Sequence, residues 1–307
     1  MSLDPAVAAW LAAQSGVPAP HTLAGLRQAT DASLIRQQGG DRDAHYQYRL
    51  SLPAADGTPI AVRIYEPYAL AKRQNRPALV YAHGGGWSLG SPDAWDRPCR
   101  RLAEATGCVV LSVDYRLAPE HPWPQPLDDF YAALCGIHLL AEPLRLDPAR
   151  IAVGGDSAGG NLAAAACLLA RQRGGPGIFH QLLLWPALDA TMSSASYQYF
   201  ATGYGLTAEM MTRCWQGYTA GASQQEPLLS PLAATQLQDL PPATILSCEY
   251  DPLRDEAEAY AARLAEAGVR VRSERLAGQI HGAMHMTAVT SQADRCYDRA
   301  AFLENHH

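Results

Sequence analysis

Residues 151–166 read IAVGGDSAGGNLAAAA, and within them Ser157 has one glycine two positions before it and another two positions after. A short apolar run precedes the serine and an alanine-rich stretch follows. That is the pattern of a strand, a tight turn and a helix. In such a turn the small flanking residues let strand and helix pass close together, and the serine sits in a strained backbone conformation with Oγ pointing outward. A hydroxyl is a poor nucleophile at neutral pH. The chemistry implied, attack on a carbonyl carbon, therefore needs a base within hydrogen-bond reach and a third group that orients the base. The competing reading is a plain glycine turn that happens to contain a serine.

Later segments offer both partners in the order nucleophile, acid, base. Asp251 follows the apolar run ATILSCEY, and His281 follows VRVRSERL. Both stand where a parallel strand would end at its carboxyl side, the place where open α/β sheets build sites. Each has rivals. Asp255, Glu256 and Glu258 read as favourable negative charge in the first turns of a helix, and Glu249 is still inside the strand. His285 lies one helical turn beyond His281, a spacing that could bind a metal, but no third ligand accompanies the pair. His45, His121, His138 and His180 read as loop or helix-surface residues, and His306 and His307 as a frayed tail. The segment His83-Gly84-Gly85-Gly86-Trp87 follows the run ALVYA, and three consecutive glycines are costly in chain entropy. A loop after the third strand is a place for backbone N–H donors to an oxyanion, so Gly84, Gly85 and Gly86 are candidates. Ala158, directly after the serine, supplies a further N–H.

The elements that must position these residues follow from periodicity. HYQYRLSL and PIAVRIYEP flank an Asp56-Gly57 turn and read as a β-hairpin. From Pro77 onward, ALVYAH, CVVLSVDY, IAVGGD, QLLLWPAL, ATILSCEY and VRVRSERL alternate with helix-length segments. Continuous apolar runs of this kind imply strands covered on both faces, as in a mostly parallel sheet with crossover helices. The first 40 or so residues suggest two short helices broken by Gly16, Pro18 and Pro20, ending in a flexible stretch from Gln37 to Asp41. Between Asp189 and Gln225 the strand pattern lapses. One helical stretch, TAEMMTRCWQGY, stands there, in what reads as an insertion over the edge of the sheet.

Composition narrows the function classes. The 307 residues carry a formal charge of −6, with 48% hydrophobic and 18% charged residues, which fits one folded α/β unit. No cluster of Lys and Arg provides the counterion release that nucleic-acid binding needs; the densest basic stretch is Arg97 to Arg101. Seven cysteines without a Cys-x-x-Cys pair, several in apolar runs, imply reduced, buried thiols. The start, MSLDPAVAAWLAAQSG, has no basic residue ahead of its apolar stretch, and Asp4-Pro5 reads as a helix start rather than a leader. No run is long enough to span a bilayer. The expectation is a soluble, cytoplasmic protein without membrane or nucleic-acid partners.

Taken together, HGGGW at 83–87, DYRLAPEHPWP at 114–124, GDSAGGN at 155–161, DPLRDE at 251–256 and HG at 281–282 resemble the GDSAG subgroup of the bacterial hormone-sensitive-lipase family of α/β-hydrolases. The similarity runs from about Leu3 almost to the end. It implies an α/β-hydrolase fold with a mostly parallel central sheet, helices on both faces and a helical cap. The cap would comprise 1–45 and 189–225, and the catalytic core 46–188 and 226–307. Ser157 would be the nucleophile, His281 the general base and Asp251 its orienting acid, with Gly85 and Gly86 joining Ala158 in the oxyanion hole. The implied reaction is cofactor-free hydrolysis of small esters with short to medium acyl chains. The competing functions are amide or carbamate cleavage, and a ligand-binding receptor like the plant gibberellin receptors, which lack the catalytic histidine. Asp156, Arg116 and Glu120 belong to the shared motifs without an evident chemical step. Where the family commonly has an aromatic residue after His-Gly, this chain has Ala283, which would widen the pocket wall or shift the loop. Trp10, Tyr197, Tyr199, Tyr204, Met210 and Trp215 are the expected pocket residues. Monomer and homodimer are both compatible with the sequence.

Overall fold

Alternation of side chains along short apolar runs builds an eight-stranded sheet whose interior strands are buried on both faces. The computed structural model describes residues 2–14, 16, 20–40 and 45–302. The strands are β1 (His45–Pro53), β2 (Pro59–Pro67), β3 (Arg76–Ala82), β4 (Val109–Asp114), β5 (Leu146–Asp156), β6 (Gln181–Leu184), β7 (Ala243–Tyr250) and β8 (Val271–Ile280). Their order across the sheet is β1-β2-β4-β3-β5-β6-β7-β8. The hairpin of β1 and β2 is antiparallel and β2 runs antiparallel to β4, while β4, β3 and β5 through β8 pair in parallel.

Strand β3 sends Ala78, Val80 and Ala82 to one core and Leu79 and Tyr81 to the other. Neighbouring β4, β5, β6 and β7 divide their residues in the same way, which is why their sequences look uniformly apolar. The helices are α1 (Pro5–Gln14), α2 (Leu23–Gln37), α3 (Asp96–Thr106), α4 (Gln125–Leu139), α5 (Ala158–Arg173), α6 (Ser196–Tyr199), α7 (Ala208–Thr219), α8 (Arg254–Glu266) and α9 (Asp294–Ala300). Helices α4, α5 and α8 cover the first face, and α3 and α9 the second. Alanines and glycines dominate the start of α5, so this helix lies deep against the sheet, with every residue from Ala158 to Ala170 buried.

At the amino end, α1 starts at Pro5 with the Asp4 carboxylate accepting the Ala6 N–H at 2.8 Å. Val7 of this helix packs with Ile280, Met286 and Ala293. Gly16 separates α1 from α2, whereas Pro18, Asp41 and the His306-His307 tail lie outside the described residues. The stretch after α2 is anchored rather than loose. Gln37 and Gln38 are buried, and the Gln38 amide donates to the Ala94 carbonyl at 2.7 Å and to His285 Nδ1 at 2.8 Å.

The insertion departs from expectation in position. It crosses the carboxyl ends of interior strands rather than an edge. Trp215 and Tyr218 of α7 meet Trp87 in the loop after β3, and Ser196 of α6 bonds the Pro252 carbonyl in the loop after β7. An edge strand could not satisfy both contacts, because β3 and β7 each have neighbours on two sides.

Candidate active site

Ser157 begins from its backbone. At φ 55° and ψ −120° it occupies a region that costs a non-glycine residue about 1–3 kcal/mol. The turn is tied by the Ser157 N–H to the Leu184 carbonyl at 2.9 Å, and by the Ser157 carbonyl to the N–H groups of Asn161 and Ala187, both at 3.1 Å. The glycine at 159 is needed because α5 passes so close to β3: a Cβ there would stand 2.0 Å from the Ala82 carbonyl oxygen.

With Oγ held at the strand end, the loops after β7 and β8 complete a relay. The Ser157 hydroxyl lies 2.9 Å from His281 Nε2, and His281 Nδ1 lies 2.8 Å from Asp251 Oδ2. A carboxylate can only accept, so Nδ1 carries the proton and Nε2 presents a lone pair to the serine hydroxyl. Asp251 is fully buried, and its Oδ1 accepts the Leu253 N–H at 2.9 Å, which fixes the carboxylate from both sides.

The glycine loop lies beside the serine turn, where a Cβ at Gly159 would stand 2.6 Å from the His83 carbonyl oxygen. Gly85 and Gly86 have φ of 108° and 58°, values open to glycine at little cost. Gly84 differs from its neighbours, because its N–H donates to Asp156 Oδ1 at 3.1 Å and is thereby removed from the candidate oxyanion donors. Its carbonyl accepts from His83 Nδ1 at 2.7 Å. Since a trans peptide points its C=O and N–H in opposite directions, drawing the Gly84 carbonyl toward His83 turns the Gly85 N–H the other way. Among the described residues no protein acceptor bonds the N–H of Gly85, Gly86 or Ala158. Helix α7 closes this side of the loop, with Cys214 Sγ seated against Gly86.

Asp156 is the support under both loops. Its Oδ1 accepts from the Tyr81 hydroxyl at 2.7 Å and from Trp95 Nε1 at 2.8 Å, besides Gly84. Burial pushes its carboxyl up to about 6 even against these donors. Burial also pushes His83 down to about 4, which keeps the ring neutral near pH 7 and its Nδ1–H available to the Gly84 carbonyl.

Other expectations meet the structure differently. Glu256 is buried, not a surface charge at a helix start; its Oε1 accepts the Leu188 N–H at 2.7 Å, and burial pushes its carboxyl well above the ordinary range. His180 is buried too, stacked on Phe302 and bonded to Thr244 Oγ1 at 3.0 Å. His285 binds Gln38, and no group of three or more His, Cys, Asp or Glu side chains able to hold a metal ion occurs among the described residues. Ala283 has no exposed surface and belongs to the core under α3 and α9, so it forms no pocket wall. Of the expected pocket residues, Tyr199 and Met210 point outward and Tyr197 and Trp215 are buried, while Trp10 and Tyr204 pack around Val7 and Ile280. All seven cysteines are free. A surface cavity of about 470 Å³ lies apart from the serine, lined by Arg63, Asp93 and Asp96 among others, and Arg63 pairs with both of these carboxylates. No helix among the described residues is long and apolar enough to cross a membrane.

Comparison with known proteins gives one consistent result. Residues 79–285 match the family model described as alpha/beta hydrolase fold. The chain is 41% identical over 240 residues to the carboxylesterase NlhH of Mycobacterium tuberculosis, covering 77% of this chain and 75% of that one. It is 36% identical over 306 residues to an ethyl acetate hydrolase of Pseudomonas putida, covering 96% of each. Among solved structures, the ester hydrolase EH1AB1 from the Lake Arreo metagenome superposes with a TM-score of 0.92 at 39% identity, over 97% of this chain and 96% of that one.

Proposed function

The chain belongs to the α/β hydrolase fold family, among its carboxylic ester hydrolases of the hormone-sensitive-lipase type, and from that premise we propose that it hydrolyses small esters of short to medium acyl chain through a Ser157–His281–Asp251 triad. The observation that carries this reading is the unbroken relay from Ser157 Oγ through the His281 ring to Asp251. His281 Nε2 takes the hydroxyl proton as Oγ attacks the ester carbonyl carbon. The N–H groups of Gly85, Gly86 and Ala158 receive the negative charge that develops on the carbonyl oxygen, a contribution largest in the transition state. His281 then returns the proton to the leaving alcohol, and an acyl group remains on Ser157. Water, deprotonated by His281, releases the acid. Asp251 keeps the ring in the required tautomer and favours the imidazolium form of each step. The two cap segments, 1–45 and 189–225, bound the acyl pocket. Short acyl groups are supported by the likeness to the ethyl acetate hydrolase over nearly the whole chain.

The test is hydrolysis of nitrophenyl esters from acetate to palmitate by the wild type, Ser157→Ala and His281→Ala. The expected rates peak at short to medium acyl length, and both variants fall by roughly 10⁴-fold or more in kcat. Full activity in Ser157→Ala would remove the serine mechanism. A folded wild type that turns over none of the esters but cleaves the matching anilides would replace ester with amide hydrolysis.

A further inference from the structure

Residues 85, 86 and 87 all have positive φ, at 108°, 58° and 57°, and the third is a tryptophan. Such a run persists only where its surroundings over-determine it. The core supplies part of that hold, through His83 and Asp156 at Gly84 and through the Trp87 ring stacked on Tyr218 at 4.2 Å. The far end of the turn is secured from outside the core. Arg27 of α2 donates from Nε to the Ser88 carbonyl at 2.8 Å and from Nη2 to the Ala118 carbonyl at 3.2 Å. The same guanidinium grips Glu120 with Nη1 at 2.8 Å and Nη2 at 2.7 Å. Every nitrogen of the guanidinium is engaged, in the planar fork geometry that only arginine offers.

The bonds reach the candidate oxyanion donors in short steps. The Gly85 carbonyl accepts the N–H groups of Ser88 at 3.1 Å and Leu89 at 2.8 Å, so a fixed Ser88 fixes Gly85. The Ala118 N–H donates to the Trp87 carbonyl at 2.8 Å, closing a ring of bonds through Arg27. We propose that Arg27 is a positioning residue for the oxyanion-binding turn, so that the amino-terminal helices contribute to transition-state stabilisation as well as covering the pocket. This rests on the reading of Gly85, Gly86 and Ala158 as oxyanion donors.

A cover alone would act on substrate binding and hence on KM, whereas a misplaced oxyanion donor lowers kcat. The experiment compares wild type, Arg27→Met, Arg27→Lys and Glu120→Gln in kcat and KM for a short nitrophenyl ester, with melting curves to check folding. It adds inhibition by a trifluoromethyl ketone of the same chain length. Ser157 Oγ adds to the carbonyl carbon of that ketone, its proton passes to His281, and the ketone oxygen becomes an oxyanion in the turn. Arg27→Met is expected to lower kcat about 10-fold with KM within about 2-fold, and to weaken the ketone by the same factor. Arg27→Lys recovers part of the loss, because an ammonium reaches Ser88 but cannot also span Ala118 and Glu120. Glu120→Gln gives a smaller loss in both quantities, and carries the test if Arg27→Met does not fold. A raised KM at unchanged kcat, or a lower kcat with undiminished ketone inhibition, overturns the proposal. Ser157→Ala run alongside separates the two readings: an active Ser157→Ala defeats the serine mechanism, while an inert one beside a fully active Arg27→Met defeats only the role of Arg27.

Discussion

At Gly86 one added methyl group tests the geometry of the whole loop. A Cβ there would stand 2.3 Å from Cys214 Sγ, and φ of 58° is a left-handed value that costs an L-residue about 1–2 kcal/mol. Gly86→Ala should therefore lower kcat/KM by about 100-fold, in the range of a lost oxyanion donor. Adding Cys214→Ala should restore part of it, because the sulfur no longer resists the methyl, while the φ penalty and the 3.0 Å approach to the Cβ of residue 214 stay. Steady-state kinetics of the single and double variants check this; equal activity in the two would mean that Cys214 does not press on the loop. Ser157, Asp251 and His281 could be picked out of the sequence as a set because each ends an apolar strand run, a local signal. Gly84 could not be told from Gly85 and Gly86, since its N–H is claimed by Asp156, a partner brought beside it only when β3 and β5 pair. The burial of Glu256 and His180 is hidden in the sequence for the same reason: their partners Leu188, Thr244 and Phe302 are remote from them in sequence.

Between elements, the insertion is tied to α8 on both sides of its entry. Glu256 accepts the Leu188 N–H just after β6, and Asp255 Oδ2 accepts the Ser196 N–H at the start of α6, at 2.8 Å. Arg254 adds its guanidinium over the Phe200 ring at 4.9 Å. The insertion is therefore bonded to the first turn of α8, the helix that follows the acid-bearing loop after β7. Burial pushes the Glu256 carboxyl well above its ordinary range and so favours the neutral form, which Glu256→Gln imitates while keeping the acceptor; that variant should stay within about 1 kcal/mol of wild type. Glu256→Ala leaves the Leu188 N–H buried without a partner and should cost about 2–3 kcal/mol. Urea unfolding of both variants measures the difference; equal losses would mean that the carboxyl is ionised or the bond unimportant. The strands were legible because apolar runs bounded by turn residues have few other uses. The seat of the insertion was not, since it depends on Trp215, Tyr218 and Ser196 finding Trp87 and Pro252, and no periodicity encodes those pairings.

For the molecule as a whole, buried ionisable groups set the response of stability to acid. Burial, with Arg272 and Arg270 nearby, pushes His180 down to about 3, against about 6.5 in an unfolded chain. Below pH 6.5 the unfolded chain binds a proton that the folded one refuses, so this contribution is complete above pH 6.5 and lost as the pH falls. Asp156 acts in the opposite sense. Raised to about 6, it keeps a proton in the fold that the unfolded chain releases, and its effect grows more favourable as the pH drops from 6 toward 4. Replacing His180 by Gln isolates the first effect. Between pH 7 and 4.5 the wild type should lose roughly 2 kcal/mol more than the variant, read from denaturant midpoints; parallel curves would show that His180 is protonated freely in the fold. The conformation of Ser157 bears on stability in another way. Its φ of 55° would suit glycine better, so the residue that the proposed reaction needs is the one the fold would rather not have. Drift constrained only by folding would replace it, and the serine persists in a lineage for as long as turnover itself is under selection.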